Sequence, residues 1–274
     1  MLTSLIALFL FAPPPVLGGH PTPTNAQLID ALPACESLVD CAATGALLKR
    51  GEAAVGDLTL ALARPEELVR FWALGLLGEL KAKGAFDAVS ERAAKDPAIR
   101  VRAAALYTLG QLADRRATTT LTSALTDPDV NLRIAATLAM GLLLDPTTIE
   151  PLRRALADKD DEVRAYAAAA LGELGAKGAI PELILRLEED IKPMVRALVA
   201  DALGRLHAET AIDVLAKCAR SDGVIDVRIE CAKGLANIPG PAATTALEAA
   251  RDLPDPVAPI IREALAARRT RPVP

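Results

Sequence analysis

Four kinds of side chain in this 274-residue chain could carry chemistry: two histidines, four cysteines, and two evenly spaced series, one of arginines and one of aspartates. His20 in "GGHPTPTN" and His207 in "GRLHAETA" have no second histidine or cysteine nearby at ligand spacing, so the pattern encodes no zinc site. The cysteines support two readings. Cys218 and Cys231 flank the turn "SDGVID" symmetrically, and an antiparallel hairpin would set them opposite one another within bonding range. Cys231 also falls where a small core residue is expected, and a buried, inert thiol fits equally well. Cys35 and Cys41 stand six apart, too far to bond along one continuous helix, whereas a break after Asp40 would allow it. If the chain is exported, the four thiols could form two local bridges.

The arginines are Arg70, Arg102, Arg133, Arg164, Arg196 and Arg228, at intervals of 31 or 32 residues. Such a row could line a phosphate track. A matching row of aspartates, Asp96, Asp127, Asp158, Asp190 and Asp222, precedes the later five by six residues each and offers five carboxylates to the six guanidiniums. No glycine-rich phosphate loop, nucleophile elbow or paired-carboxylate motif accompanies them. Glycines in "GELGAKGA" mark a helix end rather than a nucleotide loop.

The elements that position these residues are helices. Three, seven and ten residues after the arginines stand apolar side chains such as Ala105, Leu109 and Leu112, steps that share one helix face. Eight after come Gly78, Gly110, Gly141, Gly172 and Gly204, with Ala236 in the last copy. Each glycine lowers helix propensity by about 1 kcal/mol, so it is expected where a neighbouring backbone approaches. A second helix follows, marked by pairs such as Phe86 and Val89 or Ile180 and Leu183. One such hairpin cannot bury its apolar stripe, so copies must stack into an all-α solenoid. "GEAAVGDLTLALARP" matches a second helix only, and "DPVAPIIREALAARR" a first helix only, with Ala258 in the arginine's place.

The "DPxVRxxAxxALGxL" pattern resembles HEAT repeats, in particular the short bacterial version named after phycobilisome lyases. The resemblance runs over roughly residues 45 to 265 and implies an α-solenoid of about six to seven stacked hairpins. It also implies that the aspartates and arginines form a ladder between turns. Arg64 takes the acid's place in the first copy, so the ladder is expected to begin one unit later. HEAT-like iron hydroxylases use His-Glu pairs, whereas His20 precedes Pro21 and His207 precedes Ala208, so that activity is not expected. Lyase-like or accessory action on a bilin-bearing protein is the enzymatic alternative that the resemblance carries.

The amino terminus differs in kind. Leu2 to Ala12 is a largely apolar run of eleven residues, too short for a bilayer span and suited to a secretory signal, with Val16 and Gly18 as the small residues before a cut near Gly18 or Gly19. "LPAC" at Leu32–Cys35 lies too far from that run to serve as a lipoprotein signal. The expected organisation is a signal over 1–18, a linker and degenerate capping repeat over 19–64, six repeats over 65–251, and a cap helix with a basic tail over 252–274. Net charge is −4 and aromatics are 3% of the chain, which gives no general pull toward nucleic acid.

The expected role is that of an exported, non-catalytic protein-binding scaffold, periplasmic or extracellular, with no cofactor, metal or stable membrane span. A cytoplasmic solenoid for an anionic partner is a further alternative. In HEAT-like arrays the second helices usually line the concave face, where Arg92, Arg153, Arg154, Arg186 and Lys217 would form a mildly positive stripe for the partner. Phe71 and Trp72 are expected to pack beneath the opening segment, and "RRTRPVP" to be a loose tail.

Overall fold

A computed structural model describes residues 22–38 and 40–270; the expected signal over 1–18 and His20 lie outside them. The described chain is helical, without a strand. Helices α1 (Asn25–Asp30) and α2 (Ala42–Arg50) open it. There follow α3 (Glu52–Ala61) with α4 (Glu67–Glu79), α5 (Phe86–Lys95) with α6 (Ile99–Gln111), and α7 (Thr118–Ala124) with α8 (Val130–Leu143). Next come α9 (Ile149–Ala155) with α10 (Asp161–Glu173), then α11 (Ile180–Glu189) with α12 (Pro193–Arg205). The series closes with α13 (Ile212–Ser221) and α14 (Ile225–Asn237), then α15 (Pro241–Ala249) and α16 (Val257–Thr270).

This pairing moves the frame of the repeat by half a unit from the sequence expectation. Backbones meet across the short aspartate-bearing turns: α5 lies on α6, α9 on α10, and α13 on α14. The Val-Arg helix is therefore the second arm of its hairpin, not the first. With that frame the two incomplete ends become whole hairpins, α3 with α4 and α15 with α16, and the array has seven.

Two layers result. The Val-Arg helices, α4 through α16 in steps of two, pack against one another along their lengths, while their companions touch at only a few residues. Glycine explains the close layer. A Cβ on Gly110 would lie 2.6 Å from the Ala139 Cα, and one on Gly204 2.7 Å from the Gly234 Cα. Between layers, Leu77, Leu109, Met140, Leu171, Leu203 and Leu235 are fully buried in one continuous core.

Each Val-Arg helix from α4 to α12 ends on a left-handed residue: Lys81, Ala113, Leu144, Gly175 and His207, with φ between 49° and 64°. The His207 N–H donates to the Gly204 carbonyl at 3.1 Å, and the Ala208 N–H to that of Leu203 at 3.1 Å. These bonds satisfy carbonyls a helix end leaves open and turn the chain into the next hairpin. Gly175 does so without steric cost; Leu144, with a Cβ and half its surface in solvent, does not.

The arginines tie the units. The Arg70 Nε and Nη2 donate to both Asp96 oxygens at 2.8 and 2.9 Å, and its Nη1 donates to the Arg64 carbonyl at 2.9 Å. Arg133 grips Asp158, Arg164 grips Asp190 and Arg196 grips Asp222 in the same two-pronged way. Arg102 reaches Asp127 with one arm, at 3.1 Å. Each rung runs from one unit to the aspartate of the next, so the first is Arg70–Asp96, one unit ahead of the expectation. Arg64 in the acid's place breaks no rung, because Arg70 uses only its carbonyl, and its side chain pairs with Asp30 and Glu66 instead. The last arginine departs in the other direction. Asp252 holds the next acid's register, but the proline-rich turn Leu253–Pro256 leaves its side chain 93% exposed, and the Arg228 Nε is buried with no hydrogen-bond partner.

Burial pushes the carboxyls of Asp96, Asp190 and Asp222 upward. The arginine hydrogen bonds and a backbone N–H two residues on outweigh it and hold all three below the ordinary aspartate range. A carboxyl depressed in the folded state stabilises fully above its unfolded value, and that contribution is lost as pH falls through the folded one. Thermal stability is therefore expected to be flat above about pH 5 and to fall below about pH 4. Asp96→Ala, which strands a buried guanidinium, should cost about 3 kcal/mol in urea unfolding. Asp127→Ala, at the more open single-armed rung, should cost about 1 kcal/mol. Gly110→Ala should destabilise by about 1–3 kcal/mol through overpacking, whereas Leu144→Gly should stabilise by up to about 1 kcal/mol; calorimetry of the two variants separates the effects.

Candidate docking groove on the Val-Arg layer

A groove of about 810 Å³ on the Val-Arg layer crosses α4, α6 and α8 and ends at Glu162 on α10. Its floor is Phe71 and Trp72 of α4, Ala103 and Tyr107 of α6, and Ile134 and Leu138 of α8. Repeat spacing aligns these side chains: they stand one, two or five residues after the ladder arginine, facing away from the interlayer core. Phe71 and Trp72 meet edge to face, 5.1 Å between centroids. The Arg100 guanidinium lies 4.6 Å above the Phe71 ring and 3.3 Å from the Glu67 carboxylate, which neutralises it. The indole N–H of Trp72 is buried without an acceptor.

Phe71 and Trp72 are therefore half-buried groove walls, not residues sealed under the opening segment. The opening segment covers their neighbour instead: a Cβ on Gly75 would lie 3.1 Å from the Leu38 side chain. Of the aromatic residues beyond residue 21, only Phe86 lies off this face. It packs on the companion layer beneath the Arg116 guanidinium, 3.9 Å away. Tyr166 stands one turn beyond Glu162 on α10.

The expected basic stripe is a different surface, on the companion helices, and most of it is spoken for. Arg92 lies 3.5 Å from Glu91 and 3.7 Å from Asp96, and Arg186 lies 3.7 Å from Glu189. Arg153 donates to Glu150 at 2.6 Å and also to Glu182. Arg154 and Lys217 alone of the five stand outside any ion pair among the described residues. The tail is held further than expected. Arg268 lies on α16 and donates to Thr244 Oγ1 at 2.7 Å and to the Ala236 carbonyl at 3.0 Å, and burial lowers its pKa. Arg269 is exposed, and Arg271 lies outside the described residues.

The cysteines meet in pairs. Cys35 and Cys41 are joined across the break before α2, with Cα atoms 5.4 Å apart. Cys218 of α13 and Cys231 of α14 are joined across their hairpin at 5.9 Å. His207 is a left-handed helix terminus, and no cluster of histidine, cysteine or acidic side chains fit for a metal occurs among the described residues. No helix among them is long and apolar enough to cross a membrane.

An all-α solenoid with an apolar, aromatic-lined groove on its tightly packed layer is the class that fold and site define. The sequence matches the family model described as HEAT repeats over 56–130, 87–172, 118–203, 149–230 and 180–267, and the chain belongs to that family. Among solved structures it is similar to YibA of Escherichia coli, at 18% identity and a TM-score of 0.63 over 90% of this chain and 93% of that one. It is also similar to the complex of CpcE and CpcF of phycocyanin lyase from Nostoc sp. PCC7120, at 21% identity and a TM-score of 0.53 over 78% of this chain and 94% of that one. An engineered protein matches at 20% identity and a TM-score of 0.53, over 89% and 78% of the two chains. These likenesses concern the fold. No curated protein sequence matches the chain.

With Arg92, Arg153 and Arg186 paired and only Arg154 and Lys217 left over, the stripe should not hold polyanions. The protein is expected to leave heparin at or below about 0.15 M salt, where exposed charges are largely screened. Arg154→Ala with Lys217→Ala should leave that elution unchanged, and retention to several times that salt would restore the stripe as a binding surface.

Proposed function

We propose that this chain is an exported, non-catalytic scaffold that docks a protein partner in the groove of its Val-Arg layer. The observation that carries the reading is the gathering of Phe71, Trp72 and Tyr107 on one open face of a chain with few aromatics. Aromatic side chains dominate binding hot spots because they bury large area at small entropic cost. The two layers supply the shape. A stack bends toward its more closely spaced layer, which here is the Val-Arg layer, so the groove belongs to the concave side. Export is supported by the apolar run at Leu2–Ala12 and by the pairing of all four cysteines, since such bonds persist in oxidising compartments.

A second reading, accessory or lyase-like work on a bilin-bearing protein, draws on the likeness to the CpcE–CpcF complex, itself an assembly of two chains. A visible absorption band in the purified protein would favour it.

The test has two readouts. Intact mass of protein recovered from its native cell fractions should show loss of about the first 18 residues and, before reduction, four hydrogens fewer than four free thiols require. A full-length mass with free thiols would remove export. For docking, Tyr107→Arg places a charge on the groove wall without touching the core, and should weaken a co-purifying envelope partner at least about tenfold. Arg154→Glu on the companion layer should not.

A further inference from the structure

Resting on the docking reading, we infer that the groove takes a basic segment: a stretch of partner chain with bulky apolar side chains flanked by lysine or arginine. Three carboxylates rim the groove, Glu79 at the end of α4, Asp129 at the start of α8 and Glu162 at the start of α10. Its single cation, Arg100, is already matched by Glu67 and stacked on Phe71. Glu79 accepts only a neutral bond, from the Gln111 amide at 3.1 Å, and Asp129 caps α8 through the Asn131 N–H at 2.8 Å. Glu162 is exposed and its carboxylate has no ion pair among the described residues. An apolar floor inside an uncompensated acidic rim favours an apolar segment with positive flanks.

The same face supplies its own control. Beyond α10 no aromatic follows the arginine, and the fifth position after it, Tyr107 in the groove, carries an internally matched charge, Asp201 on α12 and Lys233 on α14. Arg205 lies 2.7 Å from both Glu173 and Asp201, and Lys233 lies 2.8 Å from Glu230. Charges satisfied within the array have nothing left for a ligand, so the docking face ends near Tyr166. The unpaired indole N–H of Trp72 adds a donor for a ligand carbonyl if the ring turns outward when the groove fills.

Trp72 is the sole tryptophan of the chain and lines the groove, so its fluorescence reports occupancy directly. The probe is a capped synthetic peptide in which two leucines are flanked by arginine pairs, with a counterpart bearing glutamate at every arginine. The arginine peptide should shift Trp72 emission saturably, and the glutamate peptide should bind at least about tenfold more weakly. That preference should shrink with added salt, and to about threefold or less in the Glu79→Gln, Glu162→Gln variant, whose changes sit on exposed side chains. Equal binding of both peptides, or a preference for glutamate, would overturn the basic chemistry while leaving docking intact. If neither peptide moves Trp72 but Tyr107→Arg still releases the partner, the basic chemistry falls and docking stands. If neither peptide binds and Tyr107→Arg has no effect on the partner, docking itself fails. Light scattering of the protein alone closes the remaining route: mass doubling that abolishes peptide binding would assign the groove to a second copy and overturn the proposal.

Discussion

The array depends on a guanidinium that serves two turns at once. In Arg70, Arg133, Arg164 and Arg196 one nitrogen holds a carbonyl of the arginine's own turn while two others hold the next unit's aspartate. The aspartate is shared in turn. Asp96 receives the Ala98 N–H, Asp190 that of Lys192 and Asp222 that of Val224, which shapes the start of the following helix. One residue pair per unit thus sets the hairpin turn, the helix start and the stacking distance. Several bonds on each partner offset the desolvation cost of burying the two charges, which an isolated pair would not achieve. Close approach of the Val-Arg helices then requires glycine or alanine where they cross.

Period was legible in the sequence and phase was not. Arginines spaced by 31 or 32 residues, with apolar positions three, seven and ten beyond, describe the stacked helices and the interlayer core as the structure has them. A strict repeat, however, can be cut anywhere. The connections on either side of a Val-Arg helix are both short, and nothing in a periodic pattern says which one closes the hairpin. The discriminating signal is chemical. The Asp-Pro side of Asp127 and Pro128 makes a tight turn, whereas the other side needs a left-handed residue and a turn of 3-10 helix, as at Leu144 and Pro146–Thr148. Half a unit of phase separates the companion helices, with their cations, from the Val-Arg helices, with their rings. Arg92, Arg153 and Arg186 were legible as cations, but their carboxylate partners come from a helical neighbour in the chain or from the next unit, and spacing alone does not show which side chains meet. Phe71, Trp72, Tyr107 and Tyr166 were visible in the sequence all along; their common face follows once each is counted from its own arginine.

The face is uneven, and that unevenness ties the fold to its use. From α4 to α10 the positions after the arginine carry rings and aliphatic chains, bordered by carboxylates. From α12 to α14 the rings are gone: Ala197, Leu198 and Ile229 stand beside Asp201, which pairs with Arg205, and Glu230, which pairs with Lys233. The same helix geometry therefore presents an aromatic half bordered by acids and a half without rings that carries paired charges. A repeat architecture allows this because core positions and exposed positions interleave along each helix, so one set can stay constant while the other varies.

Forward-reaching rungs make the two ends of the array unlike. The first unit offers an arginine to its successor and needs no acid of its own, while the last arginine, Arg228, reaches toward a successor whose aspartate turns away. A unit duplicated anywhere between them would arrive with one acid to receive and one base to give, and would leave both neighbours as they were. Lengthening by internal copying is thus chemically neutral at the seam, and the array can change its reach without inventing new joints.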